Sequence, residues 1–160
     1  MEKYCLLSEI KEILIKNKLS LSTAESCTGG LVSSYLTDID GASNFIFQNF
    51  VTYSNESKNK FLNVSNETLK KFGAVSEQTA HEMAKGLLNY ADCSIATTGI
   101  LGPTGGSTEK PIGLVYIGLG VKNKIKVIKY ISQKTERQEI KIDIVKTALT
   151  KFLEFVKSEV

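Results

Sequence analysis

The sequence predicts an α/β protein in which one mixed β-sheet lies between helices. Three observations predict this class. Helical and strand-like hydrophobic patterns alternate along the chain, two small-residue turns directly follow strand-like segments, and no linker divides the 160 residues. A chain of this length can bury one sizeable core and is short for two enzyme domains. We therefore expect a single domain over residues 1–160.

The first part of the chain predicts helix, strand, tight turn and helix. A helical repeat of apolar residues covers about 3–18, and residues 19–23 alternate toward a short strand that ends at Glu25-Ser26. The small-residue turn Cys27-Thr28-Gly29-Gly30 then opens a second helix over about 31–36. The serine thus lies at the junction of strand and turn.

The middle of the chain predicts a second strand and three helices. Residues 45–53 are rich in aromatic and β-branched side chains, which favours a strand. Ser54 is a plausible helix cap, and it would place Lys58 in the first turns of the following helix. Two further helices are predicted over about 67–71 and 76–90, the second with a capping signal at its start.

The remainder of the chain predicts three more strands and a last helix. Residues 93–97 form a short buried strand that leads into the glycine-rich loop 98–106. The β-rich runs 112–121 and 125–131 predict a hairpin, and apolar residues at helical spacing over 145–156 predict the final helix.

Composition excludes several classes of protein. A formal charge of +3, from 20 basic and 17 acidic residues, permits an anionic ligand but is too small for nucleic-acid binding. Three cysteines without CxxC spacing and one histidine predict neither a disulfide framework nor a zinc site. The N-terminus lacks the apolar stretch of a signal peptide or membrane span, so we expect a cytoplasmic protein that does not bind membranes.

Both small-residue turns are candidates for a ligand site. Ligands of open α/β sheets collect at the carboxyl ends of strands, so the turns at 26–30 and 98–106 can face one pocket. A turn that ends in Gly29-Gly30 at a helix start suits a phosphate or an oxyanion. The alternative is that these glycines only relieve backbone crowding.

The familiar catalytic motifs are absent. No Walker A motif, no G-x-G-x-x-G and no G-x-S-x-G occur, and the only histidine, His81, falls inside a predicted helix. If a serine is activated here, lysine is the remaining good base. With an ordinary pKa near ~10.4, only about 4 in 10,000 lysines are neutral at pH 7, so such a base must be desolvated. Spacing alone does not choose the serine–lysine pair.

Four sequence motifs resemble those of a known family. They are Thr23-Ala24-Glu25-Ser26-Cys27-Thr28-Gly29-Gly30, Phe50-Val51-Thr52-Tyr53-Ser54-Asn55-Glu56-Ser57-Lys58, Gly73-Ala74-Val75-Ser76 and Thr98-Gly99-Ile100-Leu101-Gly102-Pro103-Thr104-Gly105-Gly106. In this order they are similar to the CinA C-terminal domain family, the nicotinamide-nucleotide amidases, over nearly the whole chain. The resemblance implies a three-layer α/β/α sandwich. It also implies hydrolysis of nicotinamide mononucleotide to nicotinate mononucleotide and ammonia, without a metal or other cofactor.

The resemblance also implies roles for individual residues. Ser26 would be the nucleophile, Lys58 its base, Tyr53 a group that relays or orients the proton, and Thr98 a hydrogen-bonding residue of the same pocket. Arg137 would pair with the substrate phosphate. Backbone groups of the two turns would hold the oxyanion and the phosphate; the residues concerned are Thr28, Gly29, Gly30, Gly99, Gly105, Gly106 and Ser107.

Other interpretations of the sequence remain open. A non-catalytic nucleotide-binding or interaction module could keep the same fold, because folds do not fix function. An amidase of the same mechanism could act on another phosphorylated amide. Many members of the family carry an additional N-terminal domain, whereas this sequence begins at the amidase-like part and resembles the stand-alone form. The resemblance and an apolar last helix favour a homodimer.

Overall fold

A computed structural model describes residues 1–160 as one α/β domain. Its strands are β1 Leu21–Glu25, β2 Ile46–Val51, β3 Cys93–Gly99, β4 Leu114–Val121 and β5 Lys124–Ile131. Its helices are α1 Lys3–Lys16, α2 Leu31–Leu36, α3 Asn55–Leu62, α4 Asn66–Phe72, α5 Glu77–Leu87 and α6 Arg137–Glu159, with a 3-10 turn at Ala42–Asn44.

The five strands form one mixed sheet in the order β2-β1-β3-β4-β5. Strands β2, β1 and β3 are parallel, whereas β4 and β5 are antiparallel to their neighbours. The carboxyl ends of β1, β2 and β3 therefore meet at one edge of the sheet. This is the edge at which open α/β sheets bind ligands.

Helices cover both faces of the sheet and complete the three-layer α/β/α sandwich. Helices α1, α2 and α6 pack on one face, around a core of 26 buried apolar residues. Helices α3, α4 and α5 pack on the other, around a smaller cluster of eight. The α/β/α sandwich and the mixed sheet predicted from the sequence are confirmed. No helix in the structure combines the length and apolar character needed to cross a membrane.

Most predicted elements are present, with small differences at their ends. Ser54 and Ser76 cap α3 and α5 as predicted, each accepting a hydrogen bond from the backbone N–H three residues later. The predicted strand 45–53 is shorter, since it ends at Val51 and leaves the chain free to turn toward α3. The last helix begins at Arg137 and extends beyond the apolar pattern over 145–156, with its first turns anchored by the buried Ile140 and Ile144.

Helix α3, which carries Lys58, packs closely against α5 at Gly86, a residue of α5. A Cβ atom at Gly86 would lie 2.1 Å from the carbonyl oxygen of Leu62, the last residue of α3. No side chain larger than hydrogen fits there without moving one helix. Gly86 therefore sets the distance between α3 and the rest of the domain.

Gly86→Ala should destabilise the protein, although alanine is the better helix former by about 1 kcal/mol. Overpacking costs of this kind are about 1–3 kcal/mol, so we expect a net loss of free energy of unfolding in urea denaturation. Lys85→Ala, at an exposed position of the same helix, should change stability by less than about 0.5 kcal/mol. A Gly86→Ala protein as stable as the wild type would show that the contact is loose.

Candidate active site

A cleft of about 260 Å³ opens at the carboxyl edge of the parallel strands. Five segments of the chain line it: the turn after β1, the region from the end of β2 into α3, the residues before α5, the loop after β3 and the start of α6. The lining residues are Ser26, Cys27, Tyr53, Lys58, Ala74, Val75, Thr98, Gly99, Ile100, Leu101, Gly102, Thr104, Gly105 and Arg137. The two small-residue turns that follow β1 and β3 therefore face one pocket.

Ser26 and Lys58 are in direct contact in this cleft. The Nζ atom of Lys58 lies 2.9 Å from the Oγ atom of Ser26. The same Nζ donates to the carbonyl oxygens of Thr52, at 2.8 Å, and Tyr53, at 3.1 Å. The start of α3 explains this position. Ser54, the N-cap of the helix, directly follows the two residues whose carbonyls contact Lys58, and the Lys58 side chain extends back toward them from the first turn.

Burial makes Lys58 a suitable base. Its side chain is fully buried, and this burial lowers the pKa of the amine to about 8. At pH 7 about a tenth of the molecules then hold it neutral. A neutral amine has two N–H donors and one lone pair; with both donors directed at the carbonyls of Thr52 and Tyr53, the lone pair is left for the hydroxyl hydrogen of Ser26.

The cysteine beside Ser26 is not a competing nucleophile. Burial raises the pKa of the Cys27 thiol to about 12, so it stays protonated at neutral pH. The backbone N–H of Cys27, by contrast, makes no hydrogen bond to the backbone of another residue. It is a free donor in the cleft, on the residue directly after the serine.

The turn after Ser26 does not present its glycines to the cleft. Thr28 is buried, and Gly29 and Gly30 take positive φ angles of 61° and 107°, which lets the chain enter α2. None of these three residues lines the cleft. The N–H of Gly29 donates to the carbonyl oxygen of Ser26, so it is not available to an oxyanion.

A residue to which the sequence analysis gave no role occupies the start of α2. The Glu25 carboxylate is fully buried and accepts hydrogen bonds from the N–H groups of Val32 and Ser33, at 2.7 and 3.0 Å. An anionic group of the protein therefore already fills the place where the sequence suggested a bound phosphate or oxyanion. The available signal was a glutamate at the end of a strand, immediately before a small-residue turn into a helix.

Tyr53 and Thr98 lie in the cleft with contacts that the sequence did not indicate. The ring of Tyr53 is 61% exposed, and it is the carbonyl oxygen of this residue that contacts Lys58 and Ser26. Thr98 donates its hydroxyl hydrogen to the carbonyl oxygen of Ala74, at 2.7 Å. This bond ties the end of β3 to the segment before α5, where the N–H groups of Ala74 and Val75 make no hydrogen bond within the protein.

Arg137 lines the same cleft as Lys58. Its guanidinium donates to the carbonyl oxygen of Gly102, at 2.7 Å, and to the hydroxyl oxygen of Tyr53, at 3.5 Å. The motifs that contain Tyr53 and Gly102 thus meet at one cation, which lies 84 residues after Tyr53 in the chain. Lys58 and Arg137 are the only charged side chains that line the cleft, which makes it suited to an anion.

The loop after β3 offers further donors for an anion. The backbone N–H groups of Thr104, Gly105 and Gly106 make no hydrogen bonds within the protein. Thr104, Gly105 and Gly99 line the cleft, whereas Gly106 packs against Ile112 outside it. The N–H of Ser107 is already bonded to the carbonyl oxygen of Lys110.

Comparison with known proteins identifies the family. The model of the CinA C-terminal domain matches residues 4–156. The chain belongs to the CinA C-terminal domain family. A CinA-like protein from Fusobacterium nucleatum is 49% identical over 142 residues, which are 89% of this chain and 35% of that protein. The chain spans about a third of the length of the curated relatives that it matches.

Two solved structures share the fold of this CinA C-terminal domain. The crystal structure of a competence/damage inducible protein from Agrobacterium tumefaciens has a TM-score of 0.89 and 43% identity, covering 93% of this chain and 92% of that one. The crystal structure of a CinA superfamily protein from Klebsiella pneumoniae 700603 has a TM-score of 0.92 and 31% identity, covering 99% of both chains. The resemblance predicted from the four motifs is confirmed.

The lowered pKa of Lys58 should make stability depend on pH. Because the folded pKa of about 8 lies below the ordinary lysine pKa of 10.5, the unfolded chain binds more protons between these values, and the folded state gains stability as pH rises. Compared with Lys58→Met, the wild type should gain about 2 kcal/mol of unfolding free energy between pH 7 and pH 10. Urea denaturation at several pH values measures this difference.

Lys60→Met is the matched control, because Lys60 is exposed on the same helix. Its difference from the wild type should stay constant over this pH range. A Lys58→Met difference that is equally flat would mean that the Lys58 amine is solvated and keeps an ordinary pKa.

Proposed function

We propose that the protein is an amidase that hydrolyses the carboxamide of nicotinamide mononucleotide, giving nicotinate mononucleotide and ammonia. The observation that carries the proposal is the 2.9 Å contact between the Oγ atom of Ser26 and the fully buried Nζ atom of Lys58. A purely structural role does not readily explain why an amine is buried beside a serine hydroxyl, in a cleft that holds a second cation. This is the arrangement that activates a serine without histidine.

The first half of the reaction forms an ester. Neutral Lys58 takes the hydroxyl proton of Ser26 as the Oγ atom attacks the carboxamide carbon. The tetrahedral intermediate collapses with rupture of the carbon–nitrogen bond, and the Lys58 ammonium returns the proton to the leaving nitrogen, which departs as ammonia. The carbonyls of Thr52 and Tyr53 hold the Lys58 amine in one position throughout.

The second half of the reaction hydrolyses the ester. Lys58 takes a proton from water, the hydroxide oxygen adds to the ester carbon, and the Oγ atom of Ser26 leaves with the proton from Lys58. The negative oxygen of each tetrahedral intermediate needs donors that are free in the resting protein. The N–H of Cys27 meets this requirement, and those of Ala74 and Val75 are further free donors on residues that line the cleft.

The charge of the cleft supports a phosphorylated substrate. Arg137 lines the cleft and donates to Gly102 of the loop in which Thr104 and Gly105 have free N–H groups. No carboxylate lines the cleft to oppose a phosphate. These groups favour a mononucleotide over the nucleoside that lacks its phosphate.

Ammonia release from nicotinamide mononucleotide by the purified, chelator-treated protein tests the proposal. Ser26→Ala and Lys58→Ala should each lower kcat by at least about 1,000-fold, because nucleophile and base act as a unit. For the wild type, kcat/KM should rise about tenfold per pH unit below pH 8 and level off above it, since only neutral Lys58 accepts the proton.

Lys60→Ala controls for the loss of a lysine elsewhere on α3 and should retain wild-type rates. A wild-type protein that is folded, binds the nucleotide and releases no ammonia would contradict the amidase and favour a binding module. Full activity in Ser26→Ala would contradict the covalent mechanism while leaving the substrate in place.

Arg137→Ala should raise KM for nicotinamide mononucleotide by about 10- to 100-fold, the range expected for the loss of a charged hydrogen bond to the phosphate. The same variant should change kcat/KM for nicotinamide riboside by less than about threefold, because that substrate has no phosphate. Steady-state kinetics with both substrates measures the difference.

The control is Lys134→Ala, which removes a nearby exposed cation that does not line the cleft. It should leave both substrates unaffected. Equal losses on the two substrates in Arg137→Ala would instead assign Arg137 to holding the loop through Gly102.

A further inference from the structure

The carboxylate of Glu25 holds together the turn that carries Ser26. Its Oε1 atom accepts from the Thr28 hydroxyl, at 2.6 Å, and from the N–H of Val32, at 2.7 Å. Its Oε2 atom accepts from the N–H of Ser33, at 3.0 Å, and from the Ser33 hydroxyl, at 2.8 Å. Four hydrogen bonds to one fully buried carboxylate leave none of its strong acceptor directions to solvent.

The same network reaches the central strand on the other side of the turn. Because the Thr28 hydroxyl donates to Glu25, the 2.8 Å contact between the hydroxyls of Thr28 and Thr97 requires Thr97 to donate. Thr97 also accepts the N–H of Ser26 through its carbonyl oxygen. The residue before the serine, the turn after it and the neighbouring strand are thus joined in one chain of hydrogen bonds.

We infer that Glu25 is a positioning residue, which fixes the Ser26 turn so that the Oγ atom stays within hydrogen-bond distance of Lys58; this inference rests on the proposed amidase. The geometry also explains why α2 begins where it does. Short helices expose unpaired N–H groups at their starts, and here a carboxylate from the preceding strand satisfies two of them. The strand, the nucleophile and the helix therefore move as one unit.

Glu25→Gln tests the charge and acceptor pattern without changing the shape. Each oxygen of the carboxylate accepts from a backbone N–H, either that of Val32 or that of Ser33. A glutamine has one oxygen, so in either orientation its NH2 group faces a backbone donor. The turn must then shift to separate the NH2 group of the glutamine from the backbone N–H that it faces.

We expect kcat for nicotinamide mononucleotide to fall on the order of 100-fold in Glu25→Gln, because misplacement of a reacting atom by about 1 Å has effects of this size. KM should change by less than about threefold, since Glu25 does not line the cleft. The midpoint of the pH–rate profile should stay near about 8, because the contacts of Lys58 are with Thr52 and Tyr53 rather than with Glu25.

Asp92→Asn is the matched control. The Asp92 carboxylate also accepts from a backbone N–H and a hydroxyl, both of Ser20, but it precedes β3 at the edge of the sheet opposite the cleft. This variant should lose stability and keep kcat within about twofold of the wild type. Glu25→Gln with folded structure and a comparably unchanged kcat would overturn the inference.

Crystal structures of the two variants give a readout that does not depend on the substrate. The distance from Ser26 Oγ to Lys58 Nζ should exceed 3.5 Å in Glu25→Gln and remain at the wild-type 2.9 Å in Asp92→Asn. If the wild type proves inert, the proposed function fails, and this distance alone decides whether Glu25 positions the serine; an unchanged distance in Glu25→Gln overturns the inference.

If Glu25→Gln does not fold, Ser33→Ala removes one of the four bonds and leaves the carboxylate in place. Its kcat should fall by about tenfold, the lower end of the range expected for the loss of one hydrogen bond to a charged group. Ser34→Ala, at the exposed neighbouring position, should have no effect. Equal kcat values for Ser33→Ala and Ser34→Ala would overturn the inference.

Discussion

Burying the amine of Lys58 costs free energy, and the groups around the cleft are arranged to reduce this cost. The amine has no counter-ion; two backbone carbonyls and the Ser26 hydroxyl are its partners. An ammonium in such a place is disfavoured relative to the neutral amine, which is why its pKa is lowered. In the proposed mechanism, the burial that destabilises the fold at low pH would also supply a base at neutral pH, so stability and chemistry would be coupled through one group.

The arrangement depends on three features of the structure around Ser26 and Lys58. Strand β2 ends at Val51, so the carbonyls of Thr52 and Tyr53 are free of the sheet and can turn toward Lys58. The absence of a side chain at Gly86 allows α3 to approach α5 closely. The buried Glu25 fixes the turn on the other side of the contact. Each brings one partner of the serine–lysine pair to a defined place, as a preorganised site requires.

Local patterns predicted the elements well, and they predicted the site only in part. The cap at Ser54 placed Lys58 correctly in the first turn of its helix, because capping is a short-range interaction. The contacts of Tyr53 could not be predicted, since the direction of a carbonyl depends on where the strand ends. Glu25 was missed because a lone glutamate in a sequence usually indicates an exposed charge. Only tertiary structure shows that Arg137 meets Gly102.

The central claim is that Ser26, activated by Lys58, forms an ester with the substrate. Mixing the protein with excess nicotinamide mononucleotide, quenching with acid within the first turnover and analysing the peptides by mass spectrometry tests this claim most directly. We expect an acyl group on the peptide that contains Ser26, formed no more slowly than ammonia. Ammonia released in the first turnover, with Ser26 unmodified at every time point, would contradict it.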